Sequence, residues 1–461
     1  MKQQTNTLYI FGITLVATIG GLLFGYDTAV ISGAEQSVQA FLITPLGLNS
    51  FVHGITTSSA LIGCIIGAAI SGYMASTLGR RKSLMIAALL FFISALGSGA
   101  PELLFFEKGV PTIGLLYMFN LYRVIGGIGV GLASAVCPMY IGEIAPANIR
   151  GRLVSFNQFA IIFGMLVVYF VNWGIASGKT MEWINEIGWR RMFWSEAIPA
   201  GLFGFLLFFV PESPRWLVLN KKEAEASKIL AKINGVEAAG LILSEIKQTA
   251  LNTPKNTKLF SYGKKVIIIG VLACFFQQFC GINVALYYAP RIFESMGAGR
   301  DASMLQTIVM GLVNVIFTVV AILTVDKFGR KPLLMIGSIG MTVGMFAIGG
   351  LAFAEVIGMS TLVFMIIYTA SFMMSWGPVC WVLVSELFPN AIRGKATAIA
   401  VAFQWIANFL ISATFPAMAD FSTGGTYCFY GLMSLISFIF VWKMIPETKG
   451  KTLEEMEKLY R

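Results

Sequence analysis

Three ionisable side chains stand deep inside apolar stretches of this sequence: Asp27 in "GGLLFGYDTAVISG", Arg123 in "FNLYRVIGGIGVG" and Glu196 in "MFWSEAIPAG". A charge at the centre of a bilayer costs from about 2.5 to more than 10 kcal/mol, so such residues face a cavity, pair with one another or change protonation. A low dielectric favours the neutral form of a carboxyl group, whereas a neighbouring arginine favours the charged form. An aspartate and an arginine that can separate therefore make a proton switch, while a permanent pair would only fix helix packing.

Side-chain amides recur in other apolar stretches, near aromatic residues. A sugar needs both kinds of group, because each hydroxyl donates and accepts hydrogen bonds while the C–H faces of the ring are apolar. Asn283 and Tyr287 are four residues apart and share a helix face, as do Gln404 and Asn408. Each amide alone could form a hydrogen bond between helices. Burying so many amides without partners is costly, however, so together they favour a sugar site. The amides are Gln158, Gln277, Gln278, Asn283, Asn314, Gln404 and Asn408.

The composition is that of a membrane protein. Of the 461 residues, 57% are hydrophobic and 12% are charged, against about 25% charged residues in soluble domains. Apolar stretches of about 20 residues recur, which is the length that a helix needs to cross about 30 Å of hydrocarbon. We predict an all-α membrane protein with twelve transmembrane helices. They are expected to begin near Leu8, Val52, Ser83, Ile113, Leu153, Arg191, Val266, Ser303, Leu333, Thr361, Ala396 and Tyr427.

Basic residues concentrate on one side of the predicted bundle. Most of the 33 lysines and arginines lie in "LGRRKS", "APANIRGR", "DKFGRKP", "PNAIRGK", the C-terminal residues and the segment 212–265. Cytoplasmic loops carry such an excess, so both termini are predicted to be cytoplasmic. The first apolar run is too long for a signal peptide and is interpreted as a retained helix. The formal charge of +10 therefore reflects membrane topology, and we predict no nucleic-acid partner.

The two halves of the chain repeat each other. "LGRRKS" is matched by "FGRKPL", "EIAPANIRG" by "ELFPNAIRG" and "PESPRWL" by "PETKGKTL", in the same order. A parallel duplication of six helices predicts a cavity at the midplane between the halves. The predicted units are an N-terminal six-helix half (1–211), an intracellular helical linker (212–263), a C-terminal six-helix half (264–446) and a cytoplasmic tail (447–461).

Together with "QQFCGINVALYYAP" and "SWGPVCWVLVSELFPNAIRGKA", these motifs resemble the sugar porters of the major facilitator superfamily, and among them the bacterial proton-coupled pentose transporters. The resemblance extends over nearly the whole chain. It implies the major facilitator fold, in which two six-helix halves alternate access to a central site. It also implies proton-coupled import of a pentose, with D-xylose as the expected substrate, by a monomer in the bacterial inner membrane without a cofactor.

The resemblance further assigns roles to individual residues. Asp27 would be the protonation site, Arg123 its movable partner and Glu196 a neighbour that tunes both. The sugar would be bound by Gln158, Gln277, Gln278, Asn283, Trp381 and Gln404, in a pocket also lined by Phe24, Tyr287, Asn314, Gly377 and Trp405. An intracellular gate that stabilises the outward-facing state would comprise Arg80, Arg81, Glu143, Arg150, Glu212, Arg215, Asp326, Arg330, Glu386, Arg393 and Glu447. In this gate four pairs are expected: Glu143 with Arg150, Glu386 with Arg393, Asp326 with Arg330 and Glu212 with Arg215.

The sequence gives no support for an enzyme or a metal site. The six cysteines lie in apolar stretches without C-x-x-C spacing, and the single histidine, His53, is expected at the outer end of the second span in a surface role. Other transport readings stay open: a passive sugar uniporter, or a proton symporter for glucose, galactose or arabinose. A membrane sensor that binds sugar without moving it is the alternative from another functional class.

Overall fold

The computed structural model describes residues 6–449 except 104, 147–148, 253–258, 296, 357–358 and 390–391. Most of the predicted tail 447–461, part of the predicted linker and the side chain of Asp326 lie outside the described residues. All regular secondary structure in the described residues is helical. The all-α prediction is confirmed, whereas the division into four units stays a prediction.

The helices follow one another in two comparable series separated by a small helical segment. The first series comprises α1 (Thr7–Val38), α2 (Ser50–Thr77), α3 (Arg80–Gly99), α4 (Ile113–Ile144), α5 (Arg150–Ala176), α6 (Met181–Trp183), α7 (Trp189–Ser195) and α8 (Ala197–Leu206). The segment between the series contains α9 (Pro214–Leu219), α10 (Glu223–Asn234) and α11 (Val236–Asn252). The second series comprises α12 (Lys264–Phe279), α13 (Ile282–Tyr287), α14 (Ala289–Ser295), α15 (Arg300–Phe328), α16 (Arg330–Phe353), α17 (Met359–Met373), α18 (Trp376–Leu387), α19 (Arg393–Phe421) and α20 (Thr423–Met444).

Among the described residues, eleven helices are long and apolar enough to cross a membrane. The difference from the predicted twelve lies in the span near Arg191, which is divided at Glu196 into α7 and α8. Neither part alone reaches the length of a spanning helix. The predicted sixth span is therefore present as an interrupted helix, and the interruption falls at the fully buried carboxyl group of Glu196.

Two other spans are also interrupted, both in the second half of the chain. Gly281 separates α12 from α13 and has φ +91°, a left-handed conformation that favours glycine. Ser375 stands between α17 and α18. Irregular backbone is tolerated at membrane depth where it is buried in protein or lines a cavity. Both interruptions therefore suggest a functional cavity beside α13 and α18.

Two glutamates cap matching helices in the two halves. Glu212 accepts hydrogen bonds from the backbone N–H groups of Arg80 (2.9 Å) and Arg81 (3.2 Å) at the start of α3. Glu447 accepts them from Arg330 and Lys331 (both 3.0 Å) at the start of α16. The two contacts satisfy N–H groups that a helix start leaves without intrahelical partners. The repeated Pro-Glu motifs thus have the same structural use in both halves.

The hydrogen bonds also affect the ionisation of Glu447. Burial raises the pKa of this carboxyl group, but the backbone N–H groups of Lys449, Arg330 and Lys331 favour the charged form, and the pKa falls below its ordinary value. A lowered pKa stabilises the fold above the ordinary carboxyl range, and the stabilisation is lost as the pH falls through the lowered value. Acid therefore weakens the start of α16.

Close contact between α1 and α5 depends on glycine. A Cβ atom at Gly25 would lie 1.8 Å from the Ile161 carbonyl oxygen, and one at Gly164 would lie 2.1 Å from the Leu22 carbonyl oxygen. Backbone atoms cannot move aside as a flexible side chain can. The two helices therefore pack with their backbones in contact, as membrane helices with small residues at the interface do.

Gly25→Ala is expected to lower the thermal stability of the purified protein in detergent. The added methyl group forces α1 away from α5, and overpacking of this kind costs about 1 to 3 kcal/mol. Gly12→Ala is the matched control, because it changes the same helix at a position with no atom within 4 Å of the new Cβ. Equal melting temperatures for the two variants would contradict the close packing of α1 and α5.

Candidate functional site

A cavity of about 660 Å³ lies between the two series of helices. Its wall is formed by α1, α4 and α5 from the first series and by α12, α13, α15, α17, α18 and α19 from the second. It extends to Arg150, Val325 and Arg330, at the end of the bundle that carries α9 to α11, which we call the linker end. The cavity therefore lies where the sequence repeat predicts it, and it reaches toward the linker end.

The second series contributes a connected group of amides to the wall. Gln277 donates from Nε2 to the backbone oxygens of Trp376 (2.9 Å) and Gly377 (3.2 Å). Its own oxygen accepts from Gln404 Nε2 at 2.5 Å. Gln278 Oε1 accepts from Asn283 Nδ2, also at 2.5 Å. These bonds hold the amides in place on α12, α13 and α19, so a polar ligand meets groups whose positions are already set.

The first series contributes Gln158 from α5, on the other side of the cavity. In the part of the chain that the structure describes, its side-chain amide has no hydrogen-bond partner. A glutamine amide offers two donors and two acceptor lone pairs. Gln158 therefore has its full hydrogen-bonding capacity available to a ligand.

Aromatic rings complete the wall. Phe24 of α1 and Trp405 of α19 lie with their ring centroids 5.7 Å apart and their planes at 46°, which joins the two series across the cavity. Tyr287 and Trp381 also line it. Amides on two walls with aromatic faces between them match the mixed polar and apolar surface of a sugar ring.

Ten of the eleven residues predicted for the substrate pocket line this cavity. Asn314 is the exception: it is buried in α15, and its Oδ1 has no hydrogen-bond partner in the described part of the chain. Two amides that were not assigned to the pocket, Asn157 and Asn408, do line it. Asn408 was among the amides that together favoured a sugar site, because it shares a helix face with Gln404. Asn157 was not identified, and its only signal in the sequence is its position beside Gln158.

The buried charges lie together beside the cavity. Arg123 donates from Nη1 to Asp27 Oδ1 (2.7 Å) and from Nη2 to the Asp27 backbone oxygen (3.0 Å). Both side chains are almost completely buried. The ring of Phe193 covers the guanidinium group, with its centroid 5.2 Å from the Arg123 Cζ. The pair that the sequence placed in separate spans is therefore an ion pair in the structure.

Glu196 stands next to this ion pair and interacts electrostatically with both of its members. Among the described residues, no N–H group or hydroxyl donates to either oxygen of Glu196 or to the second oxygen of Asp27. The two carboxyl groups are close enough to share a hydrogen bond when one of them carries a proton. One arginine thus faces two carboxyl groups in a buried space. Such a set can hold a proton on one carboxyl while the arginine neutralises the other.

Helix α1 connects the two sites. Phe24 and Thr28 of α1 line the cavity, while Asp27 faces Arg123 of α4. A ligand contact at Phe24 and a change of charge at Asp27 are therefore separated by less than one helical turn. The helix can transmit a movement between them as a rigid body.

Charged residues at the linker end pair differently from the expectation. Glu143 contacts Arg80 (2.7 Å), and Glu386 contacts Arg330 (2.8 Å). Arg150 instead donates to the Ala145 carbonyl oxygen, Arg393 donates to that of Phe388, and Arg215 is exposed. The expected pairs Glu143–Arg150 and Glu386–Arg393 are not formed in this structure, in which the cavity reaches the linker end. They were expected in the outward-facing state, so the gate stays a prediction. Each of the two ion pairs joins residues of one series.

The opposite end of the bundle is closed by contacts between the two series. Tyr169 donates to the Leu286 carbonyl oxygen at 3.2 Å. A Cβ atom at Gly54 would lie 1.9 Å from the Ala413 carbonyl oxygen, so α2 and α19 touch through their backbones. With this end closed and the cavity reaching the linker end, the structure has the shape of a transporter open on one side.

His53 is completely buried at the closed end, so its expected surface role was wrong. Its Nε2 lies 3.1 Å from Glu35 Oε2, and Arg291 lies beside both residues. The prediction failed because the end of a span is exposed only if no other helix covers it. Here α14 and α19 do so.

Comparison with known proteins gives a consistent result. The model of the family described as sugar (and other) transporter matches residues 13–460. The D-xylose-proton symporter of Escherichia coli (strain K12) is 54% identical, and the match covers 100% of this chain and 97% of that protein. The arabinose-proton symporter of Bacillus subtilis (strain 168) is 40% identical, with coverage of 98% and 95%. The glucose facilitated diffusion protein of Zymomonas mobilis is 38% identical, with coverage of 100% and 99%.

Solved structures of the xylose transporter XylE from E. coli are similar over almost the full length. The partially occluded inward open conformation has a TM-score of 0.89 and 52% sequence identity, and the match covers 97% of this chain and 100% of that one. The proton:xylose symporter XylE bound to 6-bromo-6-deoxy-D-glucose has a TM-score of 0.85 and 54% identity, with coverage of 99% and 100%.

Proposed function

This chain belongs to the sugar (and other) transporter family and has the major facilitator fold, and from that premise we propose that it imports D-xylose together with a proton by alternating access. The observation that carries the proposal is the combination of a cavity lined by amides and aromatic rings with a buried Asp27–Arg123 pair. Helix α1 supplies both Phe24 of the cavity wall and Asp27 of the pair. The substrate and the coupling ion are supported by the 54% identity to a D-xylose-proton symporter.

The sugar is proposed to lie between Gln158 on one side and Gln277, Gln278, Asn283 and Gln404 on the other. Its hydroxyl groups exchange hydrogen bonds with the amides. Binding thereby links the two series of helices. The remaining pocket residues are proposed to form its apolar walls: Phe24, Tyr287, Gly377, Trp381 and Trp405. Asn314, which lies outside the cavity wall, is not proposed as a sugar contact.

The proton is proposed to bind at Asp27. Protonation removes the charge that holds Arg123, and Glu196 then offers the guanidinium group another carboxylate in the same buried space. Before the proton binds, two carboxylates share one guanidinium group. The proton removes the surplus negative charge and leaves Glu196 paired with Arg123, because a buried charge without a partner is costly. The exchange of partners moves α4 relative to α1 and so couples protonation to the opening of the cavity.

The linker end is proposed to face the cytoplasm. This orientation follows from the excess of lysine and arginine on that side, and it places both termini in the cytoplasm of a bacterial inner membrane. When this end closes, Glu143, Glu386 and their arginines are proposed to form pairs between the two halves, with Arg81, Arg150, Arg215, Asp326 and Arg393 contributing. The protein is proposed to act as a monomer without a cofactor and not as an enzyme, since the relatives named above are transporters.

One relative favours a second transport mechanism. The glucose facilitated diffusion protein transports without a stated coupling ion, so a passive sugar uniporter is the alternative. Such a protein keeps the cavity and the alternating ends but has no need of a titrating carboxyl group. The buried Asp27–Arg123–Glu196 group favours symport over this alternative.

Uptake by proteoliposomes tests the proposal. Labelled D-xylose is supplied with and without an inward proton gradient, and D-glucose is added as a competitor. Accumulation above equilibrium that a protonophore abolishes is the expected result. If D-xylose only equilibrates, at a rate independent of the proton gradient, the protein is a uniporter. Transport of D-glucose without transport of D-xylose would contradict the proposed substrate.

A further inference from the structure

A buried charged group joins the two halves at the closed end, far from the Asp27–Arg123 pair. Arg291 of α14 places Nη1 3.5 Å from Glu35 Oε2 of α1 and 3.1 Å from Gln39 Oε1. His53 of α2 places Nε2 3.1 Å from the same Glu35 oxygen. The side chains of Glu35 and His53 are 1% and 0% exposed. A buried carboxylate of the first half thus takes its cation from the second half.

The hydrogen-bond geometry fixes the protonation pattern of the histidine. Arg291 Nη1 lies 3.4 Å from His53 Nδ1. A guanidinium group can only donate, so Nδ1 is the acceptor and a neutral ring carries its proton on Nε2. This nitrogen lies 3.1 Å from Glu35 Oε2, but its N–H has no hydrogen-bond partner among the described residues. Glu35 therefore has a neutral histidine beside it in its own half, and it receives its hydrogen bond and its positive charge from Arg291 of the other half.

Further polar contacts cross the same boundary. Arg291 Nη2 lies 4.0 Å from Asp420 Oδ1 of α19, and Asp420 is hydrogen-bonded to Ser50 at the start of α2. Gln36 of α1 donates to Glu294 of α14 at 2.8 Å. The closed end is therefore held by charged and amide contacts as well as by the helix packing described above.

We propose that Glu35, His53 and Arg291 form a charged latch, the outer latch, which holds the closed end shut and sets the balance between the inward-open and outward-open states. The proposal rests on the alternating access proposed above. Opening this end carries Arg291 away with the second half and leaves Glu35 and His53 in the first. Gln39 and Asp420 extend the latch on its two sides.

The surroundings of Glu35 differ between the closed and the open state. In the closed state water is excluded from Glu35, and Arg291 stabilises its negative charge. In the open state water reaches Glu35, so the loss of Arg291 matters little there. Removing one member of a buried pair destabilises the state that buries the other member. Loss of the Arg291 charge must therefore shift the population toward the outward-open state, because it changes the free energy of only one of the two states.

The latch is tested by the distance between spin labels across the closed end. The labels are attached to cysteines that replace the exposed residues Lys108 and Glu355, one in each half. Cys428 is changed to serine so that it does not react, and the other five cysteines are buried. The full-length protein is measured without sugar and without a proton gradient. Arg291→Gln is expected to raise the ratio of long to short distances by about tenfold, which corresponds to about 1.4 kcal/mol.

Glu35→Gln is expected to shift the ratio in the same direction, and Arg291→Lys, which keeps the charge, to stay within about threefold of the parent protein. Arg191→Gln is the matched control, because Arg191 is an exposed arginine at the same end that packs on Trp183 of its own half. If Arg291→Gln fails to fold, Glu35→Gln and Arg291→Lys decide the question.

An unchanged ratio in Arg291→Gln and Glu35→Gln would overturn the latch, as would an equal shift in Arg191→Gln. Absence of xylose transport would not affect this measurement, because it uses neither sugar nor gradient. The distance measurement can therefore contradict the outer latch without contradicting the proposed function, and the transport assay can do the reverse.

Discussion

Asp27→Asn is expected to abolish the accumulation of D-xylose that a proton gradient drives, while sugar binding and exchange persist. An amide has nearly the shape of the carboxyl group but cannot take up and release a proton. Asp27 is completely buried and holds Arg123 through a 2.7 Å contact, so its change of charge is the event that would move the arginine. The measurement compares uphill uptake with exchange of labelled for unlabelled sugar in the same proteoliposomes.

The control for this variant is Asp301→Asn, an equivalent change at an exposed position at the start of α15. It is expected to accumulate sugar as the parent protein does. Undiminished uphill uptake in Asp27→Asn would remove Asp27 from the coupling mechanism and return the Asp27–Arg123 pair to a role in helix packing. Loss of exchange together with uptake would indicate a folding defect, which the thermal stability of the variant then reveals.

Gln158→Ala is expected to weaken the binding of D-xylose by between about fivefold and 150-fold. The range corresponds to about 1 to 3 kcal/mol for the loss of a hydrogen-bond partner from a buried ligand hydroxyl. The side chain lines the cavity and has no bonding partner within the described part of the protein, so the substitution removes contacts to the ligand without breaking a network. Calorimetric titration of the purified protein measures the dissociation constant directly.

Gln248→Ala is the matched control, since Gln248 is an exposed glutamine on α11 outside the cavity. Its affinity for D-xylose is expected to equal that of the parent protein. A dissociation constant for Gln158→Ala within a factor of two of the control would show that Gln158 makes no hydrogen bond to the sugar.

The sequence predicted the helical architecture well because hydrophobic length is a local property. Each predicted span begins within four residues of a helix start in the structure, as the first pair, Leu8 and Thr7, and the last, Tyr427 and Thr423, illustrate. The division of the span at Glu196 was not predictable in this way, since a window average hides one buried carboxyl group. The pocket residues were largely identified through the family resemblance and the spacing of amides, with Asn314 as the exception.

Contacts between distant parts of the chain were the harder problem. Glu143 and Arg150 are close in sequence, yet Glu143 meets Arg80, which is 63 residues away. His53, Glu35 and Arg291 come from three helices, and no local pattern relates them. Their contact depends on how the two halves close at one end, which is a property of a conformational state. The outer latch could therefore be found only from the assembled structure.

The most direct test of the account is the movement of protons when D-xylose enters. Unbuffered, de-energised proteoliposomes that contain the protein are given a pulse of D-xylose, and the external pH is recorded. The account predicts an immediate alkalinisation of the medium that a protonophore abolishes and that Asp27→Asn does not produce. Entry of labelled D-xylose without any change of external pH would contradict proton coupling and leave a passive sugar transporter.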